Sequence, residues 1–155
     1  MKKAIIFLFA AFETFTINAQ KISSDNLPQE VITAFKAKFS IAEKTNWEMD
    51  YDNYQANFSV GKSDFSAKFD KEGKWIETDT YLKPSELPKE IKDALAQKYG
   101  EVLSAYKIDD AMKVEKEKET IYSMEVKRGE NTYVVEFDQE GEMTKEDKKV
   151  ESKKE

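Results

Sequence analysis

Two apolar stripes, each spaced by four residues, organise this chain. Val31, Phe35 and Phe39 form the first, and Ile91, Leu95 and Tyr99 form the second. Spacing close to 3.6 residues places such positions on one face of a helix. Each stripe follows a proline, Pro28 or Pro88, and an acidic residue, Glu30 or Glu90. Proline suits the first turn, where its missing N–H costs nothing, and a carboxylate is favoured at the positive end of the helix dipole. Helices of ~12 residues are marginal alone in water, so both stripes need a surface to cover them.

Alternating runs supply that surface. Tyr54, Ala56, Phe58 and Val60 alternate with Gln55, Asn57 and Ser59, and Phe65, Ala67 and Phe69 alternate with Ser66 and Lys68. A second set, Tyr122, Met124 and Val126 against Ser123, Glu125 and Lys127, leads into Tyr133, Val135 and Phe137. Period-two alternation predicts strands with one apolar and one polar face. Gly61 and Gly129 mark the first turns. Asp70-Lys71-Glu72-Gly73 and Asp138-Gln139-Glu140-Gly141 suit a type I turn closed by a left-handed glycine. In that register Phe69 faces Trp75 and Phe137 faces Met143. The stretches Trp47–Met49 and Tyr106–Ile108 are candidates for one further strand in each set.

The two sets are copies of one pattern. Leu27-Pro28-Gln29-Glu30-Val31 recurs as Leu87-Pro88-Lys89-Glu90-Ile91, 60 residues on. Tyr54, Gly61, Phe69-Asp70 and Gly73 recur as Tyr122, Gly129, Phe137-Asp138 and Gly141, 68 residues on. The second copy therefore carries eight extra residues, which we place in the charge-rich stretch Asp109 to Thr120. The fold class expected is α+β, a tandem repeat of a helix packed on an antiparallel β-sheet, with one continuous core as the default for 155 residues.

Before the first copy, Lys2 and Lys3, the apolar run Ala4 to Phe12 and a polar stretch ending at Ala19 follow the plan of a secretory signal peptide. The run is far shorter than the ~20 residues that span a bilayer, which favours cleavage over a stable membrane anchor. Glu13 and the bulky Ile17 fit the plan less well. Cleavage after Ala19 would remove two lysines and one glutamate and leave 23 basic against 30 acidic side chains. A periplasmic or secreted location follows. The boundaries expected are 1–19 for the signal, 20–82 and 83–146 for the copies, and 147–155 for a charged flexible tail, the mixture of lysine and glutamate beginning at about Thr144.

The full chain has net charge -6, and no basic cluster of the kind that phosphate binding needs, so nucleic acid is not an expected partner. It contains no histidine and no cysteine. Disulfides, thiolate and imidazole catalysis and Cys/His metal sites are thereby excluded, and neither catalytic, metal nor cofactor residues are assigned. Asp50, Asp52 and Asn53 lack the glycine and distal glutamate of a calcium loop, so a solvated turn is the better reading. Asp138, Glu140 and Glu142 are explained by their hairpin, Asp109-Asp110 reads as a solvated pair, and the Asn57-Phe58-Ser59 glycosylation pattern falls within a strand. Tyr54 and Trp75 fit the apolar face, whereas Trp47, Tyr51 and Tyr81 are left undecided between core and binding surface.

The Leu27-Pro28-x-Glu30 helix opening, the Tyr54-x-Ala56-x-Phe58 strand and the Phe69-Asp70-x-x-Gly73-Lys74-Trp75 hairpin resemble the PepSY-like, or β-lactamase-inhibitor-like, domains of small exported bacterial proteins. The resemblance covers nearly all of the chain after Ala19. The second copy departs from it at Glu142-Met143. It implies tandem helix-on-sheet units with a non-catalytic role in the cell envelope. PepSY domains of peptidase propeptides are associated with restraining peptidases, and the inhibitor-like fold grips an enzyme with an open sheet surface. On these grounds the expected function is recognition of a protein or peptide, with a peptidase as one candidate, through the polar strand face. That face carries Gln55, Asn57, Ser59, Ser66, Lys68, Ser123, Glu125 and Lys127, all expected to face water. A small-molecule or ion carrier using a cleft between the copies, or a structural or stress-related envelope protein, are the competing readings.

Overall fold

A computed structural model describes residues 20–100 and 106–149. The signal segment 1–19 and the last six residues of the expected tail lie outside this range. The elements run β1 (Gln20–Ile22), α1 (Gln29–Lys38), β2 (Glu43–Asp50), β3 (Asn53–Val60), β4 (Ser63–Phe69), β5 (Trp75–Leu82), α2 (Lys89–Tyr99), β6 (Lys107–Lys116), β7 (Thr120–Arg128), β8 (Asn131–Asp138) and β9 (Met143–Lys149). Short 3-10 turns at Ser24–Asn26 and Pro84–Glu86 precede the helices. The nine strands of the described residues form one antiparallel sheet in sequence order.

Both helices cover the same face. Phe58, Phe65, Thr80, Lys113 and Tyr122 are successive cross-strand partners from β3 to β7, so they share one side of the sheet. Phe58 and Phe65 belong to the cluster under α1, whereas Tyr122 packs against the one under α2. In the first cluster Phe35 meets Trp47 and Phe58 edge-on, at centroid distances of 5.1 and 5.2 Å. Such pairs add ~0.5–1.5 kcal/mol each to the burial of the rings. Trp47 is thereby settled as core. Ile91, Leu95 and Tyr99 of α2 pack with Met124, Val126, Val135 and Phe137.

The sheet is continuous but the apolar core is not: the buried residues fall into two clusters, correcting the single core expected from chain length. The reason lies at the β5–β6 seam. There the helix-side pairs are Thr78 with Glu115, Thr80 with Lys113 and Leu82 with Ala111; the last belongs wholly to the second cluster, and the first two offer no apolar bridge to the other.

A second correction concerns residues 144–149, expected to open a frayed tail. They continue β9 along β8, from Phe137 opposite Met143 to Thr132 opposite Lys149. Glu146 turns to the helix side, where Lys98 binds it at 2.6 Å and the Tyr99 hydroxyl donates to it. The charged composition belongs to an edge strand, where lysine and glutamate discourage pairing with another chain.

The eight extra residues also divide differently from the expectation. Trp47 and Ala56, both buried, are nine residues apart; Ala111 and Met124 are thirteen apart. Four extra residues thus lengthen the β6–β7 hairpin, and the other four precede Ala111.

The Asp-x-x-Gly hairpins lock onto the helices. Asp70 Oδ1 accepts from the Glu72 and Lys74 amides, and Asp138 Oδ1 from those of Glu140 and Glu142. Gly73 and Gly141 have φ of +81° and +85°, and a Cβ on them would stand 2.6 and 2.9 Å from the carbonyl oxygens of Glu30 and Glu90. Only glycine permits both the backbone conformation and the approach. Phe35→Ala is expected to lose ~3–5 kcal/mol in urea unfolding. Gly73→Ala, which adds a single methyl, is expected to lose at least ~1 kcal/mol. Wild-type midpoints for both would contradict this helix-on-sheet packing.

Candidate functional site

Because α1 and α2 share one side, the other side of the sheet carries no helix among the described residues. Two cross-strand rows define its centre. One runs Asn57, Ser66, Asp79, Val114, Ile121, Asp138, and the next runs Tyr81, Met112, Ser123, Glu136, Lys145. Over β5 to β9 this surface is concave, enclosing about 610 Å³. Met112, Val114 and Ile121 form an apolar floor, bordered by Glu77, Asp79, Glu136 and Asp138. The tip of the lengthened hairpin supplies Lys116, Glu119 and Thr120 as one wall.

All eight residues singled out from sequence lie on this helix-free side, but they do not converge. Gln55 donates to Asn57, and the Ser59 hydroxyl donates to Asp64. Lys68 bridges Asp50 at 2.9 Å and Glu77 at 3.2 Å. Burial works against the Lys68 charge, but these two carboxylates outweigh it and raise its pKa. Glu125 pairs with Lys149, and Lys127 with Asp109. Ser123 alone of the eight lines the concavity. Ser66, expected to face water, is 5% exposed, a correction explained by its small side chain lying in register between Asn57 and Asp79.

The residues that sequence reading missed are the acidic and apolar ones around Ser123. Met112-x-Val114 is a strand alternation hidden among the charges of the 109–120 stretch. It also lies on the side opposite Ala111, after a register shift between Asp109 and Met112. Tyr81, left undecided, is 59% exposed and sits opposite Met112 on the open face; Tyr51 is 82% exposed at the β2–β3 turn.

Two carboxylates are held in costly settings. Burial, reinforced by the charge of Glu77, pushes Asp79 up to about 6, against the opposing pull of Lys68 and Lys116. Burial also raises Glu136, which is 7% exposed and whose Oε1 accepts no hydrogen bond among the described residues. The backbones of Asp79 and Glu136 are three strand spacings apart, roughly 14 Å. That separation leaves room for a ligand across the apolar floor. Among the described residues no three potential ligands gather into a metal-binding group.

The family described as "Putative beta-lactamase-inhibitor-like, PepSY-like" matches residues 13–59 and 52–148. The chain belongs to this PepSY-like family. No curated protein matches it in sequence. Among solved structures, a DUF2874 family protein from Bacteroides uniformis is 24% identical with a TM-score of 0.70, covering 78% of this chain and 88% of its own. A BLIP-like protein from Bacteroides fragilis is 21% identical with a TM-score of 0.71, covering 81% and 89%. A Bacteroides eggerthii structure described as "putative periplasmic proteins" is 21% identical with a TM-score of 0.69, covering 79% and 88%. The PepSY-like chain shares its fold with all three.

The raised carboxylates have a measurable consequence. Folded Asp79 holds its proton more tightly than an unfolded aspartate, so its contribution to stability is greatest below about pH 4. That contribution is lost as the pH rises through about 6. Asp79→Asn is therefore expected to stabilise the fold at pH 8 by ~1–2 kcal/mol once solvent screening is allowed for, with the gain fading toward pH 4. Melting curves across that range test this, and a destabilised variant at pH 8 would contradict it.

Proposed function

We propose that this PepSY-like chain is an exported, non-catalytic binding module of the cell envelope, built from two copies of one helix-plus-four-strand unit. It recognises a protein or peptide through its helix-free sheet face, and an envelope peptidase is the partner class that the family resemblance suggests. The observation that carries the reading is the concave face itself. Both helices lie on the other side, and an apolar floor remains open within a charged rim. Interfaces combine such a desolvated centre with a polar border. The exposed Tyr81, cross-strand partner of Met112 on the open face, is a side chain of the type that anchors binding surfaces. The order of elements, a helix and four strands given twice, supports the duplicated unit. Export is supported by the pattern of residues 2–19 and fits the description of the Bacteroides eggerthii structure.

A second reading, a carrier of a small molecule, is favoured by one feature. A concavity of about 610 Å³ falls within the ~300–1,000 Å³ of small-molecule sites.

The test is an affinity capture from envelope extract with the chain from Gln20 onward, read by mass spectrometry. Ser59→Arg and Ser123→Arg probe the open face, and Lys36→Glu, on the exposed side of α1, serves as control. The expected result is a partner retained by wild type and Lys36→Glu and lost from one or both open-face variants. A partner held equally by all four proteins would contradict face recognition. Capture of none, together with a thermal shift on adding a small metabolite, would favour the carrier.

A further inference from the structure

We propose that the concavity over β5–β9 seats a lysine or arginine side chain of the partner polypeptide, with its stem along Met112 and Ile121 and its charged head at Glu136. The inference rests on the face-recognition reading above and specifies the chemistry recognised there.

Three observations carry it. The first is the orphaned acceptor. A buried carboxylate oxygen without a hydrogen bond bears its full desolvation penalty, and native proteins rarely keep one. Glu136 lines the concavity, and its buried Oε1 is in this condition among the described residues. A donor arriving with the partner would satisfy it.

The second is charge. The lining contains five carboxylates, Glu77, Asp79, Glu119, Glu136 and Asp138, against Lys116 and Lys145. Lys116 lies 3.5 Å from Glu119, and Lys145 lies 3.1 Å from Asp147 on the edge strand. Among the described residues no ion pair reaches Asp79. Lys68 holds Glu77 at 3.2 Å, and Lys116 and Lys145 also act on Glu136, but five carboxylates against these three lysines leave the surplus negative, so the complementary group is a cation.

The third is the floor. Met112, Val114 and Ile121 are apolar and only partly buried. A bare metal ion or an ammonium ion would leave them wet. Lysine and arginine bring a hydrocarbon stem that covers apolar surface while the head stays polar. The concavity exceeds the size of a single side chain, which leaves room for the neighbouring residues of a peptide. That is why the occupant is a polypeptide and not a free amine.

The experiment titrates the ¹⁵N-labelled chain with acetyl-Leu-Arg-Leu-amide and follows the amide shifts. The first control is the same peptide with citrulline in place of arginine, which keeps the shape and removes the charge. The second is propylguanidine, which keeps the charge and removes the peptide. The arginine peptide is expected to shift the amides of Met112, Ile121, Ser123 and Glu136 saturably. The citrulline peptide and the Glu136→Gln variant should each weaken binding by about tenfold or more, as expected for loss of a charged hydrogen bond. Glu136→Gln should melt no lower than wild type at pH 8, since it removes a buried charge, so a weakened affinity would not be a folding defect.

Equal binding of the arginine and citrulline peptides, or shifts confined to other strands, would overturn the proposal. Propylguanidine binding as tightly as the peptide would overturn its polypeptide part. If envelope capture finds a partner that depends on Ser123 while the peptides show no preference for charge, this inference fails and face recognition stands. If capture and peptides both fail, the underlying reading fails with it.

Discussion

The apolar stripe of each helix has one place to go. α1 and α2 are 10 and 11 residues long, too short to persist without burying Val31, Phe35 and Phe39, or Ile91, Leu95 and Tyr99. The strands following each helix present Phe58 and Phe69, or Val126 and Phe137, to receive them. Because β5 pairs directly with β6, the alternation of one half is carried in register into the other. The two helices are thereby forced onto the same side. An open opposite face is the geometric consequence of joining two helix-on-sheet units edge to edge.

That open face is where the molecule departs from what folding alone would favour. On the helix side, charged groups are compensated: Glu146 takes hydrogen bonds from Lys98 and Tyr99, which lower its pKa. On the open side of the first half, Lys68 is held by Asp50 and Glu77. In the concavity, by contrast, Asp79 and Glu136 are both pushed toward protonation by burial. Amide side chains of the same shape would avoid the cost. Carboxylates kept where they destabilise the fold are characteristic of binding sites, where stability and function pull in opposite directions.

Much of the architecture was readable from residue order because the signals were local and repeated. The four-residue stripes, the alternation from Tyr54 to Phe69 and from Tyr122 to Phe137, and the two Asp-x-x-Gly turns each depend only on near neighbours. β9 was not readable for a physical reason: an edge strand is protected by charge, so Lys145, Glu146 and Asp147 look like a solvated tail until β8 is known to lie beside them. The concavity was hidden differently. Its floor residues come from β6 and β7 and its carboxylates from β5, β8 and the β6–β7 tip, a convergence that cross-strand register creates and that sequence distance conceals. The bulge before Met112 shifts the strand register, so alternation counted from Ile108 assigns Met112 to the wrong side.

The extra residues of the second half connect these points. Lengthening a hairpin by an even number between two inward-facing positions leaves every later side chain on its original face, whereas an odd number would turn the apolar set of β7 outward. Four residues added between Ala111 and Met124 therefore preserve the packing of Met124 and Val126 beneath α2, while the tip advances by two residues on each strand. That advance carries Lys116, Glu119 and Thr120 to the edge of the open face, where they stand as a wall beside Asp79 and Ile121. The core thus tolerates the insertion because the alternation rule is satisfied, and the lengthened tip adds a wall to the face that α1 and α2 leave open.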